Sequence, residues 1–369
     1  MLGRLRIDIA TALELYVEMT RRVFETNKTL GGIPYGKTLY KASKLAEVIK
    51  ETTSRHLSGD TLDHRTKPTS TPSLAFSWTS NATRAKRSQT MPSSPAASPV
   101  HNPETVWKPQ VIDRVMGETA LWYDERPGRC KTFVTAIYKG SSAGTTPALI
   151  RTYDSAVESS PSGNCRIWEA GRATCAVFPA FKPIQVGQNI FLDEGHGKFN
   201  PSLLVLEEAI ANEWPGRQVG VFVSIGSGKL PPHMESPPIG AIRPTSVRDS
   251  IIGVTPLQKF VEARENHITK IEECEQFHHE TVRRLRAKGI DEEVYFRLNV
   301  DTGVGQAGMS EWDRLADIST RTRTYLSKPN VQRMNAVAAM KLAKIWKEKQ
   351  TDMNVGLHIL VQFFLCRIT

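Results

Sequence analysis

Gln218–Ile225 reads QVGVFVSI, apolar throughout rather than in alternation. A strand of this kind presents apolar side chains to both faces of its sheet, so both faces need a cover. Helices supply such a cover, and the surrounding chain alternates them with further short strands. Lys131–Tyr138 (KTFVTAIY) and Ala148–Tyr153 are β-rich, and Trp168–Thr174 has helical character. Ile190–Asp193 (IFLD) is a short strand ending on an acid, and Leu203–Asn212 is helical. The alternation predicts an α/β sandwich with a largely parallel sheet.

The flanks are helical. Asp8 is placed to cap a helix in which Ile9, Leu13, Tyr16, Val17, Thr20 and Phe24 recur at helical spacing, and Lys41–Thr53 predicts a second helix after the glycine-rich Leu30–Gly36. Ser58–Met116 changes composition. Ser, Thr and Pro dominate it, and such a segment buries too little apolar surface to offset its ordering entropy, so it is expected to be disordered. After Thr255 the pattern is helical, with one short strand (VYFRLNV) and then helices over Ser310–Leu326 and Asn330–Lys349. The tail, ending GLHILVQFFLCRIT, is apolar but short for a bilayer span, which suits a buried helix, an interfacial segment or the product of a wrong reading frame. Five segments follow: 1–57 helical, 58–116 an insertion, 117–254 the α/β part, 255–350 helical, and 351–369 an apolar tail.

The formal net charge is +10, spread along the chain. A diffuse basic excess favours acidic partners without naming one, and no basic run with interleaved aromatics points to nucleic acid. Cys130, Cys165, Cys175, Cys274 and Cys366 are odd in number and contain no CxxC, which argues against a disulfide framework and for a reducing compartment. The N-terminus lacks the apolar run and small-residue cleavage site of a signal peptide.

Three motifs carry a chemical suggestion with a plainer alternative. Gly140–Gly144 spells GxSxG around Ser142, but Thr145, Thr146, Pro147 and a strand follow where a nucleophile elbow needs a helix, so a hairpin turn fits better. Gly226-Ser227-Gly228-Lys229 resembles the end of a phosphate loop, yet Leu230 stands where Ser or Thr belongs and Pro231 and Pro232 forbid the helix. Cys274 and His278 share a helix face beside His279, but two ligands without a third make a weak metal site.

Four blocks in order resemble the patatin-like phospholipase family, especially its fungal members. They are MLGRLRIDIATALELY with KTLYKASKLAEVIKE; DERPGRCKTFVTAIYKG with PALIRTYDS; CRIWEAGRATCAVFPAFKPIQVGQNIFLDEGHGKFNPSLLVLEEA; and QVGVFVSIGSGKLPP with VYFRLNVDTGVGQAGMSEWDRLADISTRTRTYL. The third is the most specific. The resemblance implies a three-layer α/β/α fold with a largely parallel central sheet and a helical C-terminal part. It implies hydrolysis of lipid acyl esters by a Ser/Asp dyad, with no cofactor and no metal, in a cytoplasmic protein peripheral to membranes.

Mapped residue by residue, the dyad acid is Asp193. Glu194 stands where the family has glycine, adding bulk and a second negative charge beside the base. Asn200-Pro201 matches the Asn-Pro after the acid loop, and Gly226, Ser227 and Gly228 match a SIGTG turn. The family's oxyanion loop and serine elbow lie upstream of the block that begins here at Met1. The resemblance therefore implies a catalytically incomplete copy, from a gene model begun at an internal methionine or from a truncated paralogue. It also implies that strands Phe133–Ile137 and Val219–Ile225 lack their usual neighbours. The competing expectation is a non-catalytic lipid-surface or protein-interaction module.

Overall fold

The computed structural model describes residues 1–25, 29–30, 33–34, 38–57, 116–126, 129–142, 145–155, 164–193, 200–230, 256–301, 303–306, 311–351 and 358–363. The chain is mixed α/β. Apart from Met116, the Ser58–Met116 insertion lies outside the described residues, as do Glu194, Gly195, Pro231, Pro232 and Cys366.

Helices α1 (Leu2–Leu5), α2 (Ile9–Phe24) and α3 (Ala42–Leu57) open the chain, with the short strands β1 (Thr29–Leu30) and β2 (Ile33–Pro34) between α2 and α3. The Thr11 amide donates to Asp8 Oδ1 at 3.0 Å, so the acid caps α2 as its position in the sequence indicated. The buried face keeps Thr20 and Phe24 of the predicted one and otherwise differs from it. Ala12, Leu15, Met19, Thr20, Val23 and Phe24 turn inward, while Ile9 is 74% and Leu13 63% exposed. α2 carries two apolar stripes, and packing against Leu45, Val48 and Phe181 selects the one with the longer continuous run.

A four-stranded antiparallel sheet follows, in the order β4-β3-β6-β5. Its strands are β3 (Phe133–Tyr138), β4 (Ala148–Arg151), β5 (Ile184–Val186) and β6 (Asn189–Leu192). Ala136, Ile150 and Phe191 from its inner face pack with Leu5 of α1, Leu15 of α2 and Ala170 of α4 (Ile167–Thr174). The hairpin partner β5 was not anticipated. Ile184–Val186 is too short to carry a periodic signal.

The second sheet has three parallel strands, in the order β8-β7-β9: β7 (Val219–Ile225), β8 (Tyr295–Leu298) and β9 (His358–Phe363). Its two faces are covered as the apolar β7 sequence demands. Phe222 packs with Leu206 and Ala209 of the segment that begins at α5 (Ser202–Glu207), and with Leu285 of α6 (Pro256–Ala287). Val221 and Val223 on the opposite face pack with Ile345 of α8 (Pro329–Thr351). α7 (Leu315–Leu326) precedes α8.

Two expectations need correction. The described strands do not form one largely parallel sheet: the antiparallel and parallel sets are separate, because β3–β4 and β5–β6 are hairpins joined by the antiparallel pairing of β3 with β6, and only β7, β8 and β9 connect through long crossovers. Nor do β3 and β7 lack neighbours. β3 lies between β4 and β6, and β7 between β8 and β9. The tail supplies the second neighbour of β7 as a strand, where a helix or interfacial segment was expected. Its HILVQF core is rich in strand-forming residues and pairs in parallel from Val219↔His358 to Ile225↔Phe363.

The two sheets are tied together by charge. After α5 the helix continues as a wider π turn, Glu208–Glu213. Glu208 accepts from Arg151 Nη2 at 3.0 Å, from the Tyr153 hydroxyl at 2.8 Å and from Asn212 Nδ2 at 2.7 Å. Burial raises the pKa of Glu208, but these hydrogen bonds outweigh it and hold the carboxyl below its usual range.

Candidate functional site

Asp193 follows β6 directly. Its backbone N–H donates to the Ala176 carbonyl at 3.2 Å, which fixes the acid beside the chain leaving α4. Its side chain is 5% exposed and accepts from Lys270 Nζ at 3.3 Å. Lys270 lies on α6, and burial holds the nearby Glu273 carboxyl above its usual range despite the opposing charge of Lys270.

The other end of the acid loop is pinned by Asn200. Its Nδ2 donates to the Cys274 carbonyl at 2.9 Å, and its Oδ1 accepts from the Ser202 amide at 3.1 Å and the Ser202 hydroxyl at 2.6 Å. This is an Asx turn that starts α5, with Pro201 supplying the fixed φ of the turn. Asn200-Pro201 therefore ties the start of α5 to α6.

A polar network extends from there through the parallel sheet. The Ser202 and Ser224 hydroxyls are 2.9 Å apart, and Arg297 Nη1 donates to Ser224 at 3.0 Å. Arg297 Nη2 and Asn299 Nδ2 donate to Glu275 Oε1 at 3.1 and 2.8 Å, and Lys229 Nζ lies 2.7 Å from Glu275 Oε2. Burial raises the Glu275 pKa, yet the hydrogen bond from Lys229 and the charges of Arg297 and Lys229 bring it down to about 2. Beside it, burial lowers His278 to about 4.

The same network closes the Gly226–Lys229 turn. The Gly226 amide donates to the Leu298 carbonyl, the Gly228 amide to Asn299 Oδ1 and the Lys229 amide to the Val300 carbonyl. Gly228 has φ +111°, and a Cβ there would sit 2.7 Å from the Gly305 nitrogen, so the turn requires glycine. A phosphate loop keeps its amides for the ligand. Here three of them are spent on protein oxygens, and Lys229 points to Glu275.

The other motifs separate from Asp193. β3 and β6 run antiparallel, with Ile137 opposite Leu192 and Tyr138 opposite Phe191. This register puts Asp193 level with Ala136, while Ser142 lies beyond Tyr138 at the opposite end of β3. The Ser142 carbonyl accepts from the Thr145 amide at 3.2 Å and hydroxyl at 2.7 Å, which makes a turn. Cys274 is buried, and His278 Nδ1 lies 3.3 Å from the Tyr295 hydroxyl with the rings stacked. Among the described residues, no group of three or more His, Cys, Asp or Glu is arranged to hold a metal ion. Cys130, Cys165, Cys175 and Cys274 are free thiols.

Asp193 was legible as an acid at a strand end. Lys270, Glu275, Arg297 and Asn299 were not, because a charged residue on a long polar helix or a short strand gives no local sign of its partner. Among the described residues no helix is long and apolar enough to cross a membrane. Comparison of the chain with family models, with curated proteins and with solved structures finds no match.

Proposed function

We propose that this chain is an acyl-hydrolase domain of the patatin-like type, built as a three-layer α/β/α unit, and that Asp193 is the acid half of its Ser/Asp dyad. One observation supports the reading above the others: a buried carboxylate directly after β6, its backbone N–H fixed on the Ala176 carbonyl and its Oδ2 accepting from Lys270 Nζ. A dyad needs its base fixed to this degree, because a carboxylate free to rotate loses the geometry that activates a hydroxyl. Lipid acyl esters are the substrate class that the reading carries.

The chain's own residues do not complete the reaction. Its GxSxG serine is at the far end of β3, and Lys270 occupies Asp193 Oδ2. The expected result is therefore no hydrolysis of p-nitrophenyl esters or phospholipid vesicles above background. Co-expression with a family-type segment carrying a glycine loop and a GxSxG strand–helix unit is expected to give esterase activity that Asp193→Asn removes. Ester hydrolysis by the chain alone that disappears in Ser142→Ala would overturn the assignment.

The Lys270 pair also favours a second reading, a non-catalytic lipid-surface or protein-interaction module in which the ion pair is structural. Under that reading the added segment restores nothing, and Lys270→Met lowers stability without unmasking activity.

A further inference from the structure

Arg172, on α4, is 3% exposed. Its Nη2 donates to the Lys182 carbonyl at 2.9 Å, and its guanidinium carbon lies 5.8 Å from the centre of the Phe181 ring. Among the described residues its Nη1 has no hydrogen-bond partner, and no carboxylate pairs with it. One neutral carbonyl and one ring do not repay the removal of a full charge from water, so the group calls for an anion.

The acidic group beside it is a thiol. Burial pulls the Arg172 pKa down, and the charge of Cys175 pushes it back up. Cys175 ends α4 three residues after Arg172, a spacing that puts both side chains on one side of the helix. It is 8% exposed, in the cluster that takes Val23 and Phe24 from α2 and Leu45 and Val48 from α3, with Tyr40 as the cluster's titratable ring.

We propose that Arg172 holds Cys175 as a thiolate and that this thiolate is a site of oxidation by hydrogen peroxide. Two effects oppose the thiolate: apolar surroundings and the carbonyl end of α4. Charge neutralisation outweighs them. A deprotonated Cys175 removes the penalty of an uncompensated buried guanidinium, whereas a thiol gives up its proton near neutral pH at little cost. The sulfur then attacks one peroxide oxygen. An S–O bond forms as the O–O bond breaks, sulfur is oxidised by two electrons to the sulfenic acid, and the second oxygen leaves as hydroxide. The other buried thiols lie in acidic surroundings. Burial and the charge of Glu169 push Cys165 up to about 12, and Glu273 and Glu275 flank Cys274 in the chain. The inference does not depend on the catalytic reading of Asp193.

The test treats the reduced whole chain with hydrogen peroxide at pH 7, traps sulfenic acid with dimedone and reads each cysteine by peptide mass spectrometry. Cys274, at 6% exposure, is the control of matched burial. Cys175 is expected to label about tenfold faster than Cys274 or more. Arg172→Met is expected to lower the Cys175 rate about tenfold, and Arg172→Lys, which keeps the charge, to hold it within about threefold. Labelling of Cys175 no faster than Cys274 would overturn the proposal. So would an unchanged Cys175 rate in Arg172→Met while Cys165 and Cys274 stay slow. If Arg172→Met opens the core, labelling rises at all three buried thiols, and the wild-type chain decides. Its Cys175 alkylation by iodoacetamide is expected to reach a plateau by about pH 7, and a rate still climbing through about pH 8.5, as for an ordinary thiol, overturns the proposal.

Discussion

The two sheets hold themselves together in different ways. The antiparallel sheet and its helices α1, α2 and α4 close mainly over an apolar interior, with Ala136, Ala170, Ala173 and Phe191 almost fully buried. Asp193 sits at its rim, ion-paired to Lys270 of α6. The parallel sheet has apolar packing on both faces, but a polar network also passes through its strand ends, from Asn200 by way of Ser202, Ser224 and Arg297 to Glu275. Apolar packing is tolerant and additive. A buried polar network is less forgiving, because each member left without a partner keeps its full desolvation cost. The region with the candidate acid is thus the more forgiving of the two.

The largest effect expected from this contrast is at Glu275. Glu275→Ala removes the carboxylate that Arg297 and Asn299 share, and about 3–5 kcal/mol of stability should be lost. Lys270→Met, in contrast, removes one 3.3 Å contact to Asp193 and is expected to cost about 1–2 kcal/mol. Urea melts of the two variants measure the difference. Equal losses would mean that Asp193 is as deeply embedded in its surroundings as Glu275, and the distinction between the regions would fail.

Much of this organisation was legible in the sequence, and its limits have physical causes. β7 announced itself because apolar side chains on both faces permit one environment. Asp8 announced its cap because an acid three residues before an amide is a local geometry. The buried face of α2 was misread because two stripes fit the same period, and only the partner helix chooses between them. The antiparallel sheet was read as parallel because hairpin and crossover connections are indistinguishable until the chain between the strands is placed. Asn200-Pro201 was legible as a motif, but its role as the joint between α5 and α6 depends on Cys274, whose carbonyl lies far along the chain. The Glu275 network was invisible for the same reason: Lys229, Glu275, Arg297 and Asn299 converge only once β7, α6 and β8 are packed.

Acid sharpens the contrast with a smaller effect. Both shifted groups in the network are depressed. Between pH 6.5 and about 4 the unfolded chain protonates His278 while the folded chain keeps it neutral. Between pH 4.5 and about 2 the unfolded chain protonates Glu275 while the folded chain keeps it ionised. In each window the unfolded state binds more protons, so stability falls as pH falls. Each group contributes on the order of 3 kcal/mol. The full contribution of His278 is present above pH 6.5 and that of Glu275 above pH 4.5. Chemical denaturation at pH 7, 5 and 4 should show the first loss, and His278→Gln should flatten it. A wild-type stability that stays level between pH 7 and 4 would rule out a buried neutral His278.

The smallest expected effect is that of Leu13→Ala, which tests the apolar region by its own rule. Leu13 and Leu15 stand two residues apart on α2, and either is an acceptable core residue by composition. Leu15 is 8% exposed and packs within the cluster that includes Leu5, Ala12 and Phe191, whereas Leu13 is 63% exposed. Leu15→Ala removes buried methyl groups and leaves a cavity, at a cost of about 2–5 kcal/mol. Leu13→Ala removes a side chain that water already surrounds and substitutes the best helix former, so stability should move by less than about 0.5 kcal/mol. Thermal melts of the two variants decide which stripe is buried. If Leu13→Ala costs as much as Leu15→Ala, α2 is rotated from its described orientation, and the face first expected from the periodicity of Ile9, Leu13 and Tyr16 is the one that packs.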